Sequence, residues 1–294
     1  MRTFKLTNKD DGLTCYEWIA ESPKKQMIII HGLAEHAQRY NDFANYLNKN
    51  GINVFSMDLR GHGQTTPDGL GVFSKSAGWK TVIDDISMLY SYVKDLHPEL
   101  KILLFGHSMG SIFARAVLQR SDDIYEKCIL SGVTVSKPVL RDVAPFLSAL
   151  FPKNKPAKVL DDLTFGDYSK AFKPNRTKFD WLSRDEKQVN KYVEDDKCGF
   201  VASGSMFNDV SRMLLYTLKA KHIKAMPKQT PIYIISGQND PCGSFGYDAE
   251  YLSKSYIKEG LDVKFKIYEG ARHELINETN NKEVYKDIVD TSLQ

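Results

Sequence analysis

Lys101-Ile102-Leu103-Leu104-Phe105-Gly106-His107-Ser108-Met109-Gly110-Ser111-Ile112-Phe113-Ala114-Arg115-Ala116 reads as a buried strand, a Gly-x-Ser-x-Gly turn and the opening of a helix, in that order. The apolar run into Gly106 has the length of a strand, and beyond the turn Ile112, Ala116 and Leu118 recur among good helix formers. A turn that tight crowds the backbone around Ser108, so small residues are needed on either side. Gly106 and Gly110 supply them, and the serine hydroxyl is lifted clear of the sheet. Ser108 is therefore the candidate nucleophile.

Strand and helix alternate outward from this elbow. Residues 27–30 form a continuous apolar strand, 40–50 a helix stopped at Gly51, and 53–57 a strand; 81–96 form a long amphipathic helix ending before Pro98, and 127–130 another strand. Ahead of them, 3–7 and 14–20 flank the turn-like 8–12 and predict an opening antiparallel hairpin. Strands buried on both faces with helices between them imply an α/β protein built on a mostly parallel, doubly wound sheet. From Val133 to about Met226 the alternation gives way to helix and loop with Pro138, Pro145, Pro152, Pro156 and Pro174. It resumes with a strand at 231–236, a helix at 247–258, a strand at 263–268 and a helix near 282–289. This pattern predicts a core of residues 1–132 and 227–294, with a helical cap of 133–226 over the C-terminal edge of the strands, where sites in open α/β sheets lie.

A serine hydroxyl is a weak nucleophile at neutral pH and needs a base, normally His, held by a carboxylate. In this architecture the chain order is Ser, acid, His. The strand Ile232-Tyr233-Ile234-Ile235 runs into Ser236-Gly237-Gln238-Asn239-Asp240-Pro241, placing Asp240 just beyond a core strand. The next strand runs into Glu269-Gly270-Ala271-Arg272-His273-Glu274, placing His273 just beyond that one. Both fall on the edge where Ser108 sits. Asp58 also follows a strand, but upstream of the serine, and His97 and His222 lie on or beside helices. The loop His31-Gly32-Leu33-Ala34-Glu35-His36 follows the strand at 27–30, so Leu33 and Met109 are the expected backbone N–H donors to a tetrahedral oxyanion.

The bulk properties exclude several other classes. The chain has 294 residues, 42% hydrophobic and 26% charged, with a net charge of +3 dispersed without a basic patch, which gives no nucleic-acid surface. The N-terminal stretch has no apolar segment of signal-peptide length, and no apolar run approaches the ~20 residues of a membrane span, so a cytoplasmic location is expected. Cys15, Cys128, Cys198 and Cys242 are scattered without any Cys-x-x-Cys pair, which indicates neither a zinc site nor a disulfide framework. No metal or organic cofactor is expected. The sequence does not set the oligomeric state.

With these residues assembled, the chain resembles the α/β-hydrolases, and within them the monoacylglycerol lipase and lysophospholipase group. The matching stretches are His31-Gly32-Leu33-Ala34-Glu35-His36 with Arg39-Tyr40, Asp58-Leu59-Arg60-Gly61-His62-Gly63-Gln64, Gly106-His107-Ser108-Met109-Gly110-Ser111, Gly237-Gln238-Asn239-Asp240-Pro241, and Arg272-His273-Glu274-Leu275-Ile276-Asn277-Glu278. In the cap, Asp180-Trp181-Leu182-Ser183-Arg184-Asp185 and Asp195-Asp196-Lys197-Cys198-Gly199-Phe200 are similar to segments of bacterial members broadly described as lysophospholipase-like. The resemblance implies an α/β-hydrolase fold with about eight strands, helices on both faces and a helical cap. It also implies hydrolysis of a small-molecule acyl ester, of monoacylglycerol or lysophospholipid kind, through an acyl-Ser108 intermediate.

Four other readings stay open. They are a small-ester carboxylesterase, an acyltransferase, a peptidase of the proline iminopeptidase kind, against which Leu33-Ala34-Glu35-His36 stands in place of a Gly- and Pro-rich loop, and a catalytically silent binding module. The run 143–151, with Phe146, Leu147, Leu150 and Phe151 beside Lys153, Lys155 and Lys158, is expected to pack within the cap, to line an acyl channel or to touch a membrane surface.

Overall fold

The computed structural model describes residues 1–8, 11–74, 78–120, 122–135, 146 and 151–294. The predicted opening hairpin is β1 (Arg2–Asn8) and β2 (Asp11–Trp18), followed by β3 (Lys25–Ile30), α1 (Asn41–Lys49), β4 (Ile52–Met57) and α2 (Trp79–Leu96). The elbow region is β5 (Ile102–His107) and α3 (Met109–Arg120), and β6 is Lys127–Ser131. Then come α4 (Lys158–Phe165), α5 (Glu186–Glu194), α6 (Gly204–Thr217) and α7 (Ala220–Lys224), with no strand among the described residues. The chain closes with β7 (Ile232–Gly237), α8 (Tyr247–Lys258), β8 (Val263–Tyr268) and α9 (Asn281–Leu293).

The eight strands form one sheet in the order β1-β2-β4-β3-β5-β6-β7-β8. The pairs β1/β2 and β2/β4 are antiparallel and the others parallel. Side chains alternate across a strand, so the apolar strands feed two separate cores. Ile28, Ile30, Leu104, Cys128, Leu130, Ile232 and Ile234 pack on one face with α2, α3 and α8. Met27, Ile29, Leu103, Phe105, Ile129, Tyr233 and Ile235 pack on the other with α1 and α9. α3 is buried along residues 109–118, which is why its sequence is apolar nearly all round.

Register fixes where the functional loops emerge. Ile30 pairs with Gly106, His107 with Ser131 and Gly237 with Tyr268, so β3, β5, β6, β7 and β8 end on one edge. The loops that carry Leu33, Ser108, Asp240 and His273 all leave from it. The structure differs from the sequence reading in detail. β2 ends at Trp18, α2 begins at Trp79, and β8 is not buried on both faces. β8 is the sheet's last strand, so Lys264 and Phe265 meet solvent. Of the predicted run 143–151 only Phe146, exposed, and Phe151, half-buried against the larger core, are described; the rest lies outside the described residues. Among the described residues no helix is long and apolar enough to cross a membrane.

Candidate active site

The elbow is as tight as its glycines demand. Ser108 has φ +53°, a left-handed conformation that L-residues avoid and that a nucleophile turn imposes. A Cβ on Gly110 would stand 2.1 Å from the Ile30 carbonyl oxygen, and one on Gly106 2.4 Å from that of Gly110. Neither position has room for alanine, because the start of α3 lies directly on β3 and β5. The Ser108 N–H donates to the Ser131 carbonyl at 2.9 Å, and the Ser111 hydroxyl donates to the Ser108 carbonyl at 2.7 Å.

Three side chains named from the sequence converge here. His273 Nε2 lies 2.9 Å from Ser108 Oγ, and His273 Nδ1 lies 2.8 Å from Asp240 Oδ2. Asp240 is fully buried, and its other oxygen accepts the Cys242 N–H at 2.8 Å. Burial pushes the His273 imidazole toward neutrality, but the Asp240 carboxylate, with Glu274 and Glu35 behind it, outweighs burial and holds its pKa above the ordinary value. An imidazole so placed can take the hydroxyl proton and keep the resulting charge next to a fixed anion. Asp58 serves elsewhere: it accepts from the Tyr16 hydroxyl and from the Ala37 and Gln64 N–H groups.

The loop after β3, which carries Leu33, is held by buried charged groups. The Glu35 carboxylate accepts the Gly32 N–H at 2.5 Å and the Tyr40 hydroxyl at 3.0 Å. Arg39 binds Glu35 at 2.7 Å and grips Glu274 with two nitrogens, each at 2.7 Å. Burial alone would raise the Glu35 carboxyl, yet the Arg39 charge brings it down to about 2. The loop that carries Leu33 is thus joined through one buried guanidinium to the residue after His273. Leu33 and Met109 both line the space at Ser108.

That space has two parts. A cavity of about 330 Å³ is bordered by Leu33, Ser108, His273, Trp181, Phe179 and Lys178 among others. A narrow apolar slot of about 40 Å³ opens beside it, bordered by Ser108, Met109, Ile112, Met206, Phe207 and Val210 among others. Trp181 packs against His273: its indole lies 5.1 Å from the His273 ring, and its carbonyl accepts the His273 backbone N–H at 3.4 Å. Sequence reasoning quoted Trp181, Arg39 and Glu274 without assigning them a role. The Arg39–Glu35 pair has an i,i+4 spacing, but the Arg39–Glu274 and Trp181–His273 contacts join residues distant along the chain, which no spacing signal could have found.

Among the described residues, two groups of potential metal ligands each lie close together: His36, Asp195 and Cys198, and Asp240, Cys242 and His273. In the first, His36 is already bonded to Asp195 at 2.8 Å, and burial pushes the Cys198 thiol far above its ordinary pKa, the opposite of what a thiolate ligand requires. The second consists of His273, the Asp240 carboxylate bonded to its Nδ1, and the neighbouring Cys242, whose N–H Asp240 already accepts.

The chain is similar to known proteins over most of its length. The model of the serine aminopeptidase, S33 family (Hydrolase_4) matches residues 21–280. A monoacylglycerol lipase of Mycolicibacterium smegmatis is 28% identical over 90% of this chain and 87% of its own length. A monoglyceride lipase homolog of Monkeypox virus is 29% identical over 97% of this chain and 95% of its own. Among solved structures, a thermostable carboxyl esterase from Bacillus coagulans in complex with glycerol superposes with a TM-score of 0.91, at 25% identity over 99% of this chain and 97% of that one.

Proposed function

The chain belongs to the serine aminopeptidase, S33 family, as an ester-cleaving serine hydrolase of the monoacylglycerol lipase type, and from that premise we propose that its reaction passes through an acyl-Ser108 intermediate. The observation that carries this reading is the unbroken line Ser108 Oγ to His273 Nε2 at 2.9 Å and His273 Nδ1 to Asp240 at 2.8 Å, at the floor of a cavity. Ser108 Oγ attacks the ester carbonyl as its proton passes to His273 Nε2. Asp240 holds the imidazole in the required tautomer and balances its charge. The Leu33 and Met109 N–H groups receive the oxyanion. His273 then gives the proton to the departing alcohol, and in the second half it takes one from water, which attacks the acyl carbonyl and regenerates Ser108.

The segment 133–226 acts in this reading as a cap, since Phe165, Phe179, Trp181 and Phe200 wall the cavity over Ser108. The relatives' named substrates support an acylglycerol as the ester class.

Ser108→Ala and Asp240→Asn test the assignment. Each is expected to lower kcat for p-nitrophenyl butyrate by about 10⁴-fold or more with the circular dichroism spectrum unchanged. A Ser108→Ala protein that retains the full rate contradicts it.

A further inference from the structure

We propose that Arg272 is a positioning residue for the base: its guanidinium ties residues 180–183 to the loop of His273 and so holds the Trp181 indole against the imidazole. The proposal rests on the reading of His273 as the base that serves Ser108, and deepens it.

The loop after β8 meets residues 180–183 through their carbonyls. Arg272 Nη1 donates to the Asp180 carbonyl at 2.5 Å and to the Ser183 carbonyl at 3.1 Å. Between these, the His273 N–H donates to the Trp181 carbonyl at 3.4 Å and the Glu274 N–H to the Leu182 carbonyl at 2.7 Å. Three consecutive residues thus take four consecutive carbonyls, and one guanidinium takes the first and the last. The inner two bonds run from backbone to backbone and form only when the two chains already lie side by side. The outer two come from a side chain whose rigid, permanently charged fork can keep them there.

Arg272 is itself fixed at both ends. Its backbone N–H donates at 2.9 Å to the carboxylate of Glu278, a fully buried side chain. Its guanidinium carbon lies 4.0 Å from the centre of the Phe172 ring, a cation–π contact. Phe172 packs against the small core cluster that contains Tyr168, Trp181 and Leu182. The Tyr168 and Phe165 rings lie 5.0 and 6.3 Å from the indole. Those rings belong to the same insertion as Trp181, so they fix the indole within it, whereas the carbonyl bonds fix the insertion to the base.

The sign of the effect separates positioning from charge. Arg272 is next to His273 in the chain, so deleting its positive charge alone makes the imidazolium easier to form and moves the acid midpoint of kcat/KM upward. Releasing Trp181 removes a ring that attracts the imidazolium and moves the midpoint downward. The other groups facing the imidazole are Asp240 after β7, Glu35 after β3 and Glu274 of its own loop, with Arg39 bound to the last two. His107 on β5 lies 4.8 Å away ring to ring, and burial pushes it down to about 4, so it stays neutral over this limb. All of them remain when Arg272 is replaced.

The test compares Arg272→Met, Arg272→Lys, Trp181→Leu and the double variant Arg272→Met/Trp181→Leu in the whole chain. Two readouts are used: acrylamide quenching of tryptophan fluorescence, and the pH–rate profile with p-nitrophenyl butyrate. Arg272→Met is expected to increase quenching, and to do so only where Trp181 is present. It is also expected to lower the midpoint by about half a pH unit and kcat roughly two- to fivefold, the size of the ring contact. Trp181→Leu alone is expected to give the same midpoint, and the double variant to move it no further. Arg272→Lys keeps the charge and loses the fork, so its midpoint falls between those of the parent and Arg272→Met, and it carries the test if Arg272→Met does not fold.

A midpoint that rises or stays, quenching that is unchanged, or a double variant whose shift is the sum of the single shifts overturns the positioning role. Ester cleavage that depends on Ser108 leaves the reading of the base intact in each of these cases. If the parent cleaves no ester and Ser108 takes no fluorophosphonate label, that reading falls, and the proposal falls with it.

Discussion

The His273 imidazole is bounded by a carboxylate on one edge, a serine hydroxyl on the other and an indole against its ring. A base must be neutral to act, so the rate falls as pH drops through its pKa. Burial lowers that pKa and Asp240 raises it further than burial lowers it, so the acid limb of kcat/KM is expected to have its midpoint above the ordinary histidine value of about 6.5. Trp181 adds a ring that attracts the imidazolium, a contact of about 0.5–1 kcal/mol, or roughly two- to fivefold in rate. Trp181→Leu is expected to move the midpoint downward and lower kcat by about that factor, as read from a full pH–rate profile. An unmoved midpoint contradicts the assignment. Ser108, Asp240 and His273 were legible in the sequence because each follows its own strand and strand ends are easily read. Trp181 was not, because it meets His273 only when the cap segment folds back over the sheet edge.

Among the elements, the joint that matters is the one between the loop after β3 and the loop after β8. Arg39 holds Glu35 of the first and Glu274 of the second, and all three side chains are at least 91% buried. Arg39→Met leaves two buried carboxylates without their shared guanidinium, at a cost of about 3–5 kcal/mol. The pH dependence gives the signature. In the parent protein Glu35 titrates near 2, below its unfolded value of about 4.3, so its contribution is complete above that value and is lost as pH falls toward 2. In the variant, burial without Arg39 moves the folded carboxyl above the unfolded value, so the variant regains stability as pH falls. The Tm gap between the two is therefore expected to be widest near pH 7 and to narrow toward pH 5. A constant gap contradicts the account. The strands of this joint were readable from their apolar runs, and Arg39 and Glu274 were visible as letters of two motifs. Their pairing was not, since helix and strand periodicity carry no information about contacts between distant loops.

At the scale of the whole molecule, residues 180–199 are docked onto both of these loops. The Tyr192 hydroxyl and the Gly199 N–H donate to the Ala34 carbonyl, each at 2.9 Å, and His36 meets Asp195 at 2.8 Å. On the other side the Glu274 N–H donates to the Leu182 carbonyl at 2.7 Å, and Arg184 meets Glu278 at 2.8 Å. This part of the proposed cap is a fixed wall whose backbone supports the residues on either side of Ser108. The sequence suggests an insertion between strands, because alternation stops and later resumes. It did not show that the insertion anchors the catalytic loops, nor that α6 packs into the core beside α3, because those contacts depend on tertiary packing.

The central claim, an acyl intermediate on Ser108, is tested most directly by mixing the chain with p-nitrophenyl butyrate, quenching in acid within the first turnovers and mapping the modified peptide by mass spectrometry. The expected result is a single butyryl group on the peptide containing Ser108, absent from Ser108→Ala. Steady hydrolysis with no adduct at Ser108, or with the adduct on another residue, would contradict the account.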